Sequence, residues 1–202
     1  MMRMRIHIML AVALAAIMAS AGCKSDDGAQ KTTNNGDLKG PNKTTTKEDG
    51  YIVERFTLDD DDETDVFKYF EEYPDPDNPD VMKRRLRKKK IDVNSDGNVD
   101  VIREYDKEGD PKSERIDVDL DGVFDARNYF DGGQMVRKEM LGDDGESVTE
   151  TRFYSDGTII RVERDRNNDG NVDYWEYYEQ GTLDRIGKDV NGDGSADQWT
   201  RR

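Results

Sequence analysis

Oxygen-bearing side chains recur at alternate positions in four short stretches: "DVNSDGNVD" at 92–100, "DVDLDGVFD" at 117–125, "DRNNDGNVD" at 165–173 and "DVNGDGSAD" at 189–197. A hard divalent cation takes about six to eight oxygens, and a loop supplies them when alternate side chains turn inward around a glycine bend. The candidate ligands of the first loop are Asp92, Asn94, Asp96, Asn98 and Asp100. Those of the second are Asp117, Asp119, Asp121, the Val123 carbonyl and Asp125. The third offers Asp165, Asn167, Asp169, Asn171 and Asp173, and the fourth Asp189, Asn191, Asp193, Ser195 and Asp197. Asp-Gly and Asn-Gly also build hairpin turns without any metal. Four copies weigh against that plainer reading, because a turn has no use for several mutually repelling acids aimed at one point. Ca2+ is the expected cofactor.

The third stretch continues to Glu176, so "DRNNDGNVDYWE" carries oxygens at places 1, 3, 5, 7, 9 and 12 around Gly170 and matches an EF-hand loop from end to end. The other copies have Arg103, Asn128 and Thr200 at the twelfth place. The four stretches resemble the calcium loops of EF-hand, dockerin and thrombospondin type 3 repeats over about nine residues each. The resemblance implies ligand roles for the residues named above, Glu176 included. It stops at the flanks, which lack the helices of the first two families and the cysteines usual in the third. Without the twelfth-place acid, three of the loops are expected to bind in the range of extracellular modules, about 10⁻⁴ to 10⁻³ M.

The elements that must position these loops are themselves repeated. The four starts differ by 25, 48 and 24, so one copy is missing from the longest gap, and "MLGDDGESV" at 140–148 fills it. A worn earlier copy, "TLDDDDETD" at 57–65, keeps Asp59, Asp61 and Asp65. After the loops come aromatic-rich runs, "DVFKYF", "DVIREY", "DARNYF", "TETRFY" and "DYWEYY", with a column at Phe70, Tyr105, Phe130, Tyr154 and Tyr178. Turn signals such as "FDGGQ", "YSDGT" and "YEQGT" follow, then a second run into the next loop. Each unit predicts strand, tight turn, strand, loop. The expected fold over 51–202 is mainly β: an antiparallel β-meander of tandem hairpin repeats of about 24 residues, with Asp-rich loops along one edge and glycine turns along the other.

Composition agrees with a thin architecture, since 33% of the chain is hydrophobic and 38% charged, too lean for one large core. A net charge of -15 argues against general nucleic-acid binding. The single histidine, His7, and single cysteine, Cys23, leave no material for histidine triads, zinc clusters or disulfides in the body of the chain. Paired-carboxylate hydrolysis remains chemically open. The regular spacing, however, assigns the acids to loops and sets no pair apart, so the chain is expected not to be an enzyme. The basic run "MKRRLRKKK", Met82 to Lys90, reads as a solvated strand balancing nearby acids, with anionic lipid or surface polysaccharide as the sharper alternative.

The opening "MMRMRIHIMLAVALAAIMASAGC" has a cationic start, a short apolar run and small residues before Cys23, the plan of a secretory signal over 1–22. Its end, "SAGC", resembles the lipobox of bacterial lipoproteins, with Ser20 where the family usually has an aliphatic residue. That resemblance implies cleavage before Cys23, lipid on its thiol and, with Lys24 next, delivery to the outer membrane. Residues 23–50 are almost devoid of apolar side chains and predict a disordered linker. The sequence thus predicts a calcium-binding, lipid-anchored repeat protein of a bacterial cell envelope or surface. It would act as a structural or adhesion module, with the membrane as one partner and envelope polysaccharide or protein as another. The rival expectation is a structural envelope repeat whose loops are vestigial.

Overall fold

Runs such as "TIIRVER" and "YWEYYE" alternate β-branched or aromatic residues with charged ones, which suits strands whose two faces are both half exposed. The computed structural model describes residues 42–58 and 63–202, and these runs are strands. In chain order they are β1 (Asn42–Glu48), β2 (Tyr51–Thr57), β3 (Val66–Asp75), β4 (Asn78–Ile91), β5 (Val101–Tyr105), β6 (Pro111–Ile116) and β7 (Ala126–Asp131). There follow β8 (Gln134–Leu141), β9 (Val148–Ser155), β10 (Thr158–Arg164), β11 (Tyr174–Glu179), β12 (Thr182–Lys188) and β13 (Gln198–Arg201). All thirteen form one antiparallel sheet whose spatial order is the order of the chain. The expected meander is the observed one. Tight turns join β1 to β2, β7 to β8, β9 to β10 and β11 to β12 at one edge, and the Asp-rich loops lie at the other. At the β9–β10 turn both central residues, Asp156 and Gly157, have positive φ (50° and 74°), the geometry that lets a two-residue loop follow the strand twist.

The sheet has little apolar interior. Ile52, Val53, Val66, Ala126, Val162 and Ile186 are the buried hydrophobics among the described residues. Cross-strand pairs on the exposed faces do much of the remaining work. On one face Arg137 lies over Tyr129, Arg161 over Phe153 and Arg185 over Tyr177, at 3.9, 4.0 and 4.8 Å from the ring centres. Each pair is directly opposite across a strand boundary. The aromatic column coincides with a repeated irregularity: the pairing register slips beside Phe70, Tyr105, Phe130, Tyr154 and Tyr178. A bulge at the same place in these five hairpins increases the local right-handed twist.

Two sequence expectations change. The linker was expected to run to residue 50, but Asn42–Glu48 is a strand paired along its length with β2. All seven of its residues are exposed, so no apolar pattern announces it. The backbone ladder and outward ion pairs hold it, with Lys43 on Glu54 at 2.7 Å and Arg55 bridging Thr46 and Glu48. The worn copy at 140–148 is shifted by one: the Leu141 amide bonds to Asp125 and the Asp165 amide to Thr149, as in the other loops, which makes the loop 141–149. The basic run lies in β4, as expected, with Lys83 on Asp75 and Arg85 on Glu71 at 2.9 Å each and Lys88 over Tyr69 at 4.5 Å, whereas Lys89 stands beside the like charges of Lys68 and Arg103. The signal segment, Cys23 and the acids Asp59 to Asp62 lie outside the described residues.

Candidate metal centre

Each good loop connects two paired strands, and its first and ninth residues continue the ladder. The ninth residue's amide bonds back to the strand before the loop, at Asp100, Asp125, Asp173 and Asp197. Three further bonds recur. The amide at place 2 donates to the ninth carboxylate: Val93 to Asp100, Val118 to Asp125, Arg166 to Asp173 and Val190 to Asp197, at 2.5 to 3.1 Å. The glycine amide at place 6 donates to the first carboxylate, from Gly97, Gly122, Gly170 and Gly194 at 2.7 to 2.8 Å. The amide at place 7 donates to the fifth, so Asn98, Val123, Asn171 and Ser195 meet Asp96, Asp121, Asp169 and Asp193 at 2.8 to 2.9 Å. Place 4 is left-handed even without glycine, at Ser95, Leu120 and Asn168 (φ 55°, 61° and 56°). Side-chain bonds to the backbone are what make that conformation tolerable.

On this common frame the loops differ in what their side chains do to one another. In the first, Asn94 Nδ2 donates to Asp96 at 2.9 Å, and in the third Asn167 Nδ2 donates to Asp169 at 3.0 Å. Arg166 Nε adds a 2.8 Å bond to Asp173, and in the fourth Asn191 Nδ2 reaches Asp197 at 2.9 Å. These donors show in the acidities. The Asn98 amide, then Asn94, lowers Asp96, and the Asn171 amide, then Asn167, lowers Asp169. Burial opposes the shift at Asp189, and the amides of Gly194, Gly192 and Asn191 outweigh it.

The second loop has neither amide nor base in its side chains. There Asp117, Asp119 and Asp125 offer carboxylate oxygens that all lie within 4.8 Å of one another, an arrangement that can hold a metal ion. Asp117 is buried, Asp125 half-buried and Asp119 exposed. Desolvation, then the charges of Asp121, Asp125 and Asp117, raises Asp119 above the ordinary carboxylate range. Among the described residues, this is where three acids converge so closely.

Glu176 leaves the ligand set. It lies in β11 opposite Val162 and Ile186, and its carboxylate takes Arg164 at 3.1 Å, the Tyr178 hydroxyl at 2.9 Å and the Tyr174 hydroxyl at 3.3 Å. Burial works against the charge, but Arg164 and Tyr178 hold this acid below its usual range. A strand advances about 3.3 Å per residue, so the twelfth place is carried roughly 10 Å away from the loop. One participant escaped the spacing argument: the loops abut, so that Ser95 Oγ donates to Asp65 of the worn copy at 2.7 Å.

No family model matches the chain, and no curated protein matches it. Solved structures that align with it include accessory secretory proteins 1, 2 and 3 of Streptococcus pneumoniae, at 14% identity, covering 61% of this chain and 19% of that one, with a TM-score of 0.30. A mutant of S. aureus TarM in complex with Fondaparinux, alpha-GlcNAc-glycerol and UDP aligns at 14% identity, covering 73% and 21%, with a TM-score of 0.33. The glycosylation associate protein complex Gap123 of Streptococcus agalactiae aligns at 13% identity, covering 61% and 19%, with a TM-score of 0.29. The chain spans about a fifth of the length of those it matches. These neighbours correct one expectation, that the chain is not an enzyme: a protein solved with UDP stands among them, and the expectation is withdrawn. At such TM-scores no activity is transferred in its place.

Proposed function

We propose that the chain is a calcium-binding repeat protein, lipid-anchored at a bacterial envelope, whose sheet serves as a structural or adhesion module. The observation that carries the metal part is the convergence of Asp117, Asp119 and Asp125 within 4.8 Å on a loop with no cation of its own. Oxygen-only ligands on a loop suit calcium rather than a softer metal. The lipobox-like "SAGC" supports the anchor, with Cys23 as the acylated residue. A thin sheet with few buried apolar residues gains stability when a ligand binds only the folded state.

Calcium titration of the full chain, read by native mass spectrometry and melting temperature, tests this reading. The expected result is bound calcium and a melting temperature that rises through the millimolar range. Absence of both removes calcium from the function. The second reading, vestigial loops, is favoured at 92–100, 165–173 and 189–197, where amide or guanidinium donors already sit on the carboxylates. The titration separates the two by stoichiometry: about four ions if every good loop binds, none if all are vestigial. The anchor is tested separately, by whether protein recovered from membranes begins at an acylated Cys23.

A further inference from the structure

The first and ninth residues of successive loops form a row across the sheet: the Asp92 amide bonds to the Asp65 carbonyl and the Asp117 amide to the Asp100 carbonyl, while the Asp100 and Asp125 amides bond back to Ile91 and Ile116. One buried oxygen in that row has no hydrogen-bond partner. Asp100 is 1% exposed; its Oδ2 accepts the Val93 amide at 2.5 Å, and its Oδ1 is buried without a hydrogen bond. The charges that act most strongly on it are those of Asp92, Asp117 and Asp96. One repeat earlier the equivalent oxygen is satisfied, because Ser95, fourth in its loop, donates its hydroxyl to Asp65 Oδ1 at 2.7 Å across the loop boundary. In the next loop that place belongs to Leu120, which has the same left-handed backbone (φ 61° against 55°) and nothing to donate. A buried carboxylate oxygen among other carboxylates is costly unless a donor or a cation reaches it.

We propose that Asp100 Oδ1 is a ligand to a divalent cation held at the junction of the loops 92–100 and 117–125, with the neighbouring Asp117 as its second carboxylate. The proposal rests on the cation-binding reading above and deepens it: the unit that binds at this point is a junction between repeats, not a single loop. Asp117 also belongs to the trio with Asp119 and Asp125, so an ion at the junction and an ion in the trio are linked through one side chain. Later junctions are built differently. Leu141 and Thr149 replace acids in the row, and beyond them Arg166 Nε already occupies Asp173 Oδ1 at 2.8 Å. The site is therefore particular to the first half of the array.

The test is calorimetric titration of the full chain with calcium, comparing wild type, Asp100→Asn and Leu120→Ser. The serine reproduces at 120 the donor that stands at 95, on a backbone that already accepts it. Both variants are expected to lose one calcium equivalent, or to weaken the corresponding phase about tenfold, as deleting or occupying one charged ligand does. In chelator Leu120→Ser is expected to melt higher than wild type, because the orphaned oxygen gains its hydroxyl. If wild type binds calcium and a folded Leu120→Ser binds it with unchanged stoichiometry and affinity, the junction site is overturned while the loop reading stands. Should wild type bind no calcium at all, the reading of the array falls and the junction falls with it. Should Asp100→Asn fail to fold, Leu120→Ser decides alone.

Discussion

The loops at 117–125 and 165–173 share a backbone and differ in their side-chain electrostatics. Both turn through a left-handed fourth residue (φ 61° and 56°) and a left-handed glycine (φ 90° and 89°), and both make the three recurring amide bonds to their carboxylates. They differ at places 2, 3, 4, 7 and 8, and the contrast that bears most on charge is at places 2 and 3, where Val118 and Asp119 in one correspond to Arg166 and Asn167 in the other. Arg166 and Asn167 each donate to a loop carboxylate, so the third loop offsets part of its own charge. The second loop has only acids to offer, and its three carboxylates crowd together. Loop shape is thus secured by backbone bonds, whereas the charge left without an internal donor is set by side chains that leave the shape unchanged.

The most disruptive change to this contrast is Asp119→Asn. It gives the second loop the amide found at Asn94 and Asn167, and it is expected to abolish the calcium phase assigned to the trio. In chelator the same variant should melt higher than wild type at neutral pH. Asp119 and Asp100 both titrate above the ordinary range, Asp100 through burial first and then Asp92, Asp117 and Asp96. The folded state therefore holds these protons more tightly than the unfolded state. Their contribution to stability is largest below the unfolded pKa and is lost as the pH rises through the raised folded values. Thermal melts of chelated wild type and variant between pH 3 and 7 (a range chosen to bracket about 4, the usual carboxylate value) check this. A pH dependence identical in the two proteins would break the contrast between the loops.

The converse substitution has a smaller expected effect. Arg166→Ala with Asn167→Asp removes both internal donors from the third loop and installs an acid at its third place. This double variant is expected to gain a calcium-dependent rise in melting temperature beyond that of wild type, because ligand charge tunes affinity in such loops. In chelator it should melt lower. If calcium leaves the variant no more stable than wild type, side-chain neutralisation is not what separates the two loops.

Much of this was legible because it is periodic. Spacing of about 24 residues, an acid-rich loop and a glycine turn per repeat are enough to specify a meander with two unlike edges. Charge per loop was also legible: 117–125 carries four acids and no base, whereas 165–173 carries three acids and Arg166. The end-to-end match of "DRNNDGNVDYWE" pointed to the weaker candidate, because a linear pattern does not say where a loop ends and a strand begins. The worn copy misled by one residue for a related reason. Alignment on Gly145 placed it at the sixth position, but the ladder bonds of Leu141 and Thr149 make it the fifth. β1 left no apolar trace at all, since every one of its residues faces water.

Glu176→Gln has the smallest expected effect and bears most directly on that misreading. A ligand at the twelfth place would make this variant lose calcium from the third loop. The observed carboxylate instead sits on Arg164, Tyr174 and Tyr178 in the sheet, so calcium affinity and stoichiometry are expected to match wild type. Stability should fall by about 1.5 kcal/mol at neutral pH, the low end of the usual net worth of a hydrogen bond to a charged group. The loss should shrink in acid. A carboxylate held below its usual range stabilises the fold above the unfolded pKa and ceases to do so as the pH falls through the folded value. Glutamine, which does not titrate, should therefore converge with wild type in acid melts, and a gap that persists there would assign Glu176 a packing role instead.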